Sequence, residues 1–166
     1  MIGARRAAWW AAVVVMAIAI PVAAGIGIWR IAQSPRVDPV PDATARQEAV
    51  EFATSAMVTM LSYTHDKVGE QLASALPLLT ANFRNEYEGS IRDRIVADAR
   101  ERRVSTTANV VGAGVESISA DRAVVIAFVD QSVVVGSDKP TIQRSSVRIE
   151  LQRVDGDWLI DDLELL

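Results

Sequence analysis

The chain has no cysteine and a single histidine, His65, among 166 residues. Without thiols there is no disulfide, no zinc–thiolate site and no cysteine nucleophile. With one histidine there is no His–His metal site and no histidine relay. Internal repeats and low-complexity blocks are missing too. Positive charge is scarce where it would matter. After Arg30 the chain carries 14 Lys and Arg against 21 Asp and Glu, a net charge near −7. That balance lacks the basic stripe nucleic acid requires and offers no attraction to anionic headgroups. No catalytic motif stands out, so neither catalytic residues, nor a metal, nor a cofactor is expected.

What is present begins with an uncharged run, Ala7 to Trp29, bounded by Arg6 and Arg30. Crossing hydrocarbon takes about 20 apolar residues in a helix. Trp9 and Trp10 mark one end and Trp29 the other, where indole rings favour the headgroup level. Ala11 to Ile28 is 18 residues, or about 27 Å at 1.5 Å per residue. Pro21 is tolerable in a spanning helix. The competing reading is a cleaved signal peptide, with Arg5 and Arg6 as its n-region and Val22-Ala23-Ala24 as a cleavage site. The run is longer than the usual apolar region of such a peptide, about 7–15 residues. A retained anchor is therefore expected. Basic residues flank it almost evenly, and the short tail 1–6 is expected in the cytoplasm with the following domain outside. Ala19, Ala23 and Gly27 give small-xxx-small spacing that would let another span pack closely.

Residues 30–42 hold Pro35, Pro39 and Pro41 and read as a semi-extended linker. Residues 43–166 are one domain's worth of chain. Its first part has helical spacing. Ala49, Val50, Ala53, Met57, Met60 and Leu61 line one face of a helix over Ala43–Tyr63. Leu72, Leu76 and Leu79 continue in a shorter helix that Pro77 interrupts or ends. Thr80 can cap a third, with Phe83, Tyr87, Ile91 and Ile95 on one side. From Val104 the period becomes two. Val104–Ile118, Ala123–Val135, Thr141–Arg153 and Trp158–Leu165 read as strands. Asp155-Gly156 is the strongest hairpin signal, and Gly112 and Gly114 suggest a bulge. Helices over 43–103 and then strands over 104–165 predict an α+β domain, its helices packed on a curved antiparallel four-stranded sheet.

That order, with its closing Asp155-Gly156-Asp157-Trp158 hairpin, resembles the cone-shaped NTF2 and SnoaL-like folds. The resemblance rests on several stretches together. Leu61-Ser62-Tyr63, Leu78-Leu79-Thr80-Ala81-Asn82-Phe83 and Glu86-Tyr87 come first. Arg102 to Ala108, Val110 to Val115, Asp121 to Val125, Phe128 to Gln131, and Val147-Arg148-Ile149 come next, before Val154 to Leu159. With the span and linker ahead of them, the chain is similar to Mce-associated membrane proteins of mycobacteria and related actinobacteria. The resemblance implies a single-pass protein of the cell membrane, its domain on the periplasmic or extracytoplasmic side. It implies a non-enzymatic accessory role beside Mce complexes, which import lipids and sterols. The implied partners are Mce-complex proteins, other Mce-associated proteins and membrane lipid. The family carries over no catalytic residues.

Two other functions are compatible with this shape. One is a carrier holding a lipid or small apolar ligand in the cone, for which Tyr63, Tyr87 and Asp130 are the ligand-facing candidates. The other is an enzyme, which would project Tyr, Asp or His into an apolar pocket. Yet His65 and Asp66 cannot share a helix face, and His65 is expected to be exposed at a helix end. Tyr63 and Tyr87 are expected to anchor the helix–sheet core. Asp130 is expected to face solvent unless it is a buried acid with a raised pKa. Arg92, Arg94, Arg100, Arg102 and Arg103 are interleaved with acids, with Glu88 and Asp98 four residues before Arg92 and Arg102. This is a self-paired solvated face or, through Arg92, Arg100 and Arg103, a docking face for a partner.

Overall fold

The computed structural model describes residues 43–166. The tail 1–6, the anchor run 7–29 with Trp9, Trp10, Trp29, Ala19, Ala23 and Gly27, and the linker 30–42 lie outside the described residues. Among the described residues no helix is long and apolar enough to cross a membrane.

Helix α1 is Ala43–Leu61 and contains neither glycine nor proline. It buries Ala49, Ala53, Ala56, Met57 and Met60, a stripe of three- and four-residue steps. The helix stops two residues short of the expected Tyr63, because the Tyr63 backbone is used elsewhere. Its N–H donates to the Thr106 carbonyl at 2.9 Å, and its carbonyl accepts from the Thr106 N–H at 2.8 Å. The Thr106 hydroxyl also donates to the Leu61 carbonyl. These bonds satisfy a helix end and tie it to the start of the sheet.

Leu72, Leu76 and Leu79 do not share one helix. Leu72 lies in α2 (Val68–Ala73), Leu76 opens a 3₁₀ turn (Leu76–Leu78) around Pro77, and Leu79 comes directly after that turn. Pro77 sits in the turn's first positions, where its missing N–H costs nothing. Helix α3 (Ala81–Glu86) starts where Thr80 caps it, the hydroxyl oxygen accepting from the Phe83 N–H at 3.4 Å. The same hydroxyl donates to Asp161 Oδ1 at 2.9 Å. Thr80→Ala removes both bonds and is expected to cost about 1–2 kcal/mol, read as a shift in denaturant midpoint.

A π-helical turn, Tyr87–Arg92, separates α3 from α4 (Asp93–Arg102). The wider turn rotates α4 relative to α3, so the expected stripe splits. Phe83, Tyr87 and Ile91 belong to the main core, whereas Ile95 packs on a second cluster around Val68, Leu72, Ala99, Val104 and Val133. Helix α4 ends at Arg103, whose φ of 55° is the left-handed stop that turns the chain into the sheet.

Strands β1 (Val104–Ile118), β2 (Arg122–Val135), β3 (Thr141–Val154) and β4 (Asp157–Leu165) form one antiparallel sheet in that order. The register of β1 shifts between Val110 and Gly112 and again between Val115 and Ser117. Val125, Ala127, Val129, Ile149, Leu151, Trp158 and Ile160 face the helices and are buried. The opposite face leaves Val111, Phe128 and Ile142 more than half exposed. Phe128 therefore lies outside the helix–sheet core. It covers Gly112 on the outer face, where a Cβ added at that glycine would sit 3.8 Å from its ring. Asp155 and Gly156 have φ of 54° and 100°. Positive φ at both central residues is what a type I′ two-residue hairpin turn requires. That turn pairs Val154 with Asp157 and Arg153 with Trp158.

Candidate functional site

The hairpin end of the domain carries an open groove of about 710 Å³. Glu48 and Phe52 of α1, Pro77 and Leu78 of the 3₁₀ turn, and Arg153 and Trp158 of the hairpin are in its lining. Arg153 and Trp158 are cross-strand neighbours pointing toward the helices. The guanidinium carbon lies 4.6 Å from the centre of the indole ring, a cation–π stack. Nη2 of Arg153 donates to Glu48 Oε2 at 3.1 Å, and the Arg153 backbone N–H donates to the Asp121 carbonyl at 2.8 Å. Two donors here have no acceptor: Arg153 Nε and Trp158 Nε1 are both buried and unpartnered. An unmet buried donor costs about 1–3 kcal/mol, so this pair marks the end of the domain that is least satisfied. Sequence reasoning missed the cluster. Its signal was the two-residue turn, which fixes Arg153 opposite Trp158.

The other candidates fall in separate places. Tyr87 is 3% exposed at the start of the π turn, and its hydroxyl has no hydrogen-bond partner. Burial pushes that hydroxyl up to about 12, against a smaller opposing pull from Arg92. Burial also raises the Tyr63 hydroxyl, with Asp98 adding to it and a hydrogen bond with Thr106 opposing. Tyr63 packs with the second cluster and Tyr87 with the main one. Asp130 is on the outer face of β2, pairing with Arg144 at 3.5 Å. His65 is half-buried rather than exposed, because the chain leaves α1 there and turns in beside β1. Its N–H donates to Ser105 Oγ at 3.1 Å, and Nδ1 lies 3.2 Å from the same oxygen. Asp66 points to solvent and takes no part. No nucleophile, base and acid are brought together by these positions. Among the described residues no group of three or more His, Asp or Glu is placed to hold a metal.

On α4 and the turn before it, Arg92 pairs with Glu88 at 3.2 Å and Arg102 with Asp98 at 3.4 Å. Arg100 and Arg103 are exposed and have no ion-pair partner among the described residues. Arg100 lies over Gly69 of α2, where an added Cβ would meet its Nη2 at 3.3 Å.

Comparison with known proteins places this architecture. The outer membrane protein Rv1973 of Mycobacterium tuberculosis is 42% identical over 122 residues, which are 74% of this chain and 76% of that protein. The chain belongs to the family of that mycobacterial protein. A second relative in this family, the uncharacterized protein Rv1362c of the same species, is 32% identical over 148 residues, 89% of this chain and 67% of that protein. No family model matches. Among solved structures, an IcmL-like type IV secretion system protein of Legionella pneumophila matches with a TM-score of 0.62 at 11% identity, over 76% of this chain and 94% of that one. The periplasmic domain of DotI matches with a TM-score of 0.62 at 13% identity, over 76% and 96%. These likenesses establish the fold, an α+β domain like those of secretion-system periplasmic proteins.

Proposed function

We propose that the chain is a non-enzymatic accessory membrane protein that stabilises or assists an Mce-type lipid or sterol import complex in the cell envelope. It is held by a single retained span over 7–29, with residues 1–6 cytoplasmic and the NTF2-like domain on the extracytoplasmic side. The observation that carries this reading is an anchor-length run, Ala7–Trp29, ahead of one α+β domain whose sheet face is packed by helices. Two further facts support it. A relative is named as an outer membrane protein, and solved domains of this fold include periplasmic parts of secretion machinery.

Docking uses two surfaces in this reading: the small-residue row Ala19, Ala23 and Gly27 against another span, and the α4 face at Arg92, Arg100 and Arg103. Of these three, Arg100 and Arg103 have no ion-pair partner among the described residues and can meet an acidic partner. Tagged full-length protein solubilised in mild detergent is expected to recover Mce-complex components. The double variant Arg100→Gln, Arg103→Gln is expected to lower that recovery about tenfold while lowering the melting temperature by no more than a few degrees, since both side chains sit at the C-terminal end of α4. Recovery of the protein alone, together with normal Mce-complex levels in a deletion strain, would end the proposal.

A further inference from the structure

The groove at the hairpin end has the composition of a binding site for a singly charged amphiphile. Phe52, Pro77, Leu78 and the Trp158 ring supply the apolar part of its lining, beside the charged Glu48, Arg153 and Asp157. Its volume of about 710 Å³ falls in the usual range for small-molecule sites, about 300–1,000 Å³. Two of its lining residues carry donors, Arg153 Nε and Trp158 Nε1, that are buried without acceptors. The Trp158 side chain that carries one of them is 6% exposed. Neither group can accept a hydrogen bond, so what they call for is an oxygen acceptor.

The geometry at Arg153 narrows the class. One edge of a guanidinium, Nε–H with Nη2–H, matches the two oxygens of a carboxylate. Glu48 meets that edge with a single bond, Nη2 to Oε2 at 3.1 Å, and leaves Nε unmet. Its side chain is 53% exposed, so releasing it to water costs little. The stack on Trp158 and the backbone bond to Asp121 hold Arg153 in place meanwhile. Glu48 and Asp157 in the lining disfavour a dianion such as a phosphate monoester.

We infer that this groove binds a monocarboxylate carried on an apolar chain. The carboxylate takes the Nε–Nη2 edge of Arg153 and the Trp158 N–H in place of Glu48, with the chain laid along Phe52 and Leu78. The site lies at the end of the helix–sheet layer, not inside its packed interior. It does not depend on the accessory role, and recovery of Mce components does not report on it.

The test uses the full-length protein in nanodiscs of zwitterionic lipid, titrated calorimetrically with decanoate, decanol and decyltrimethylammonium, with empty nanodiscs as the blank. Saturable decanoate binding is expected, with decanol about tenfold or more weaker and the cation without saturable heat. Arg153→Gln is expected to weaken decanoate about tenfold or more. Arg153→Lys, which keeps the charge but not the two-donor edge, is expected to weaken it as well. Trp158→Phe keeps the ring and loses the N–H, with an expected loss of about threefold to tenfold. Glu48→Gln is expected to tighten binding several-fold, since the competing carboxylate is gone. That gain cannot come from a damaged fold. Equal binding of decanoate and decanol, indifference to both Arg153→Gln and Glu48→Gln, or no saturable heat would each overturn the inference.

Discussion

Trp158→Ala is expected to destabilise the domain by about 3–5 kcal/mol, the range for emptying a large buried aromatic site. Trp158 is 6% exposed and packs in the main core with Leu79, Leu151 and Ile160. Its loss also strips Arg153 of the ring it stacks on. Chemical denaturation of the solubilised protein reads this as a fall in midpoint with the slope unchanged. Phe128→Ala is the informative contrast. The same class of residue sits on the outer face, 52% exposed, and its truncation is expected to cost about 1 kcal/mol or less. Because Trp158 and Arg153 touch, their alanine variants should not add: the double variant should fall short of the summed losses by about 0.5 kcal/mol or more. Equal costs at Trp158 and Phe128 would mean that the two faces of the sheet are assigned the wrong way round.

The strands were legible in the sequence because β-branched residues alternate along them and Asp155-Gly156 admits essentially one kind of hairpin. The face of each strand was less legible. Phe128 has a hydrophobicity that favours the core, yet the register puts it with Asp130 on the open side, over Gly112. What decides this is the parity of the β1 bulge and the pairing of neighbouring strands, both tertiary facts. The split of Phe83, Tyr87, Ile91 and Ile95 between two clusters was hidden for a similar reason. A π turn changes the helical period locally, and no residue pattern in Tyr87-Glu88-Gly89-Ser90-Ile91-Arg92 demands one.

The groove was half readable. A two-residue turn at Asp155-Gly156 sets Arg153 opposite Trp158, so hairpin geometry alone places a cation beside an indole. That Glu48 closes the cluster comes from the docking of α1, 105 positions away in sequence, and no local rule supplies it. The charged face of α4 was read correctly as far as its internal pairs went, since i to i+4 spacing is a local geometry. Which arginines remain unpaired depends on how the helix is rotated against its neighbours and was not.

Alkaline pH should expose the cost of burying Tyr87. Its hydroxyl is raised to about 12 by burial, while an unfolded tyrosine ionises near 10. Between those values the unfolded chain has lost the proton that the folded chain still holds. Fewer protons bound in the unfolded state makes the slope of stability against pH negative. The contribution is therefore intact below pH 10 and is lost as pH rises through about 12, a total of about 3 kcal/mol. The stability of the whole chain at alkaline pH reflects more than one group, so the measurement is the difference between the wild type and Tyr87→Phe. The variant is expected to have a flatter alkaline limb by about that amount. At neutral pH it should match or exceed the wild type, by up to about 1 kcal/mol, because the hydroxyl it removes is buried without a partner. A variant that falls as steeply as the wild type between pH 10 and 12 would remove Tyr87 as the cause. One that is clearly less stable at pH 7 would mean that the hydroxyl has a bonding partner after all.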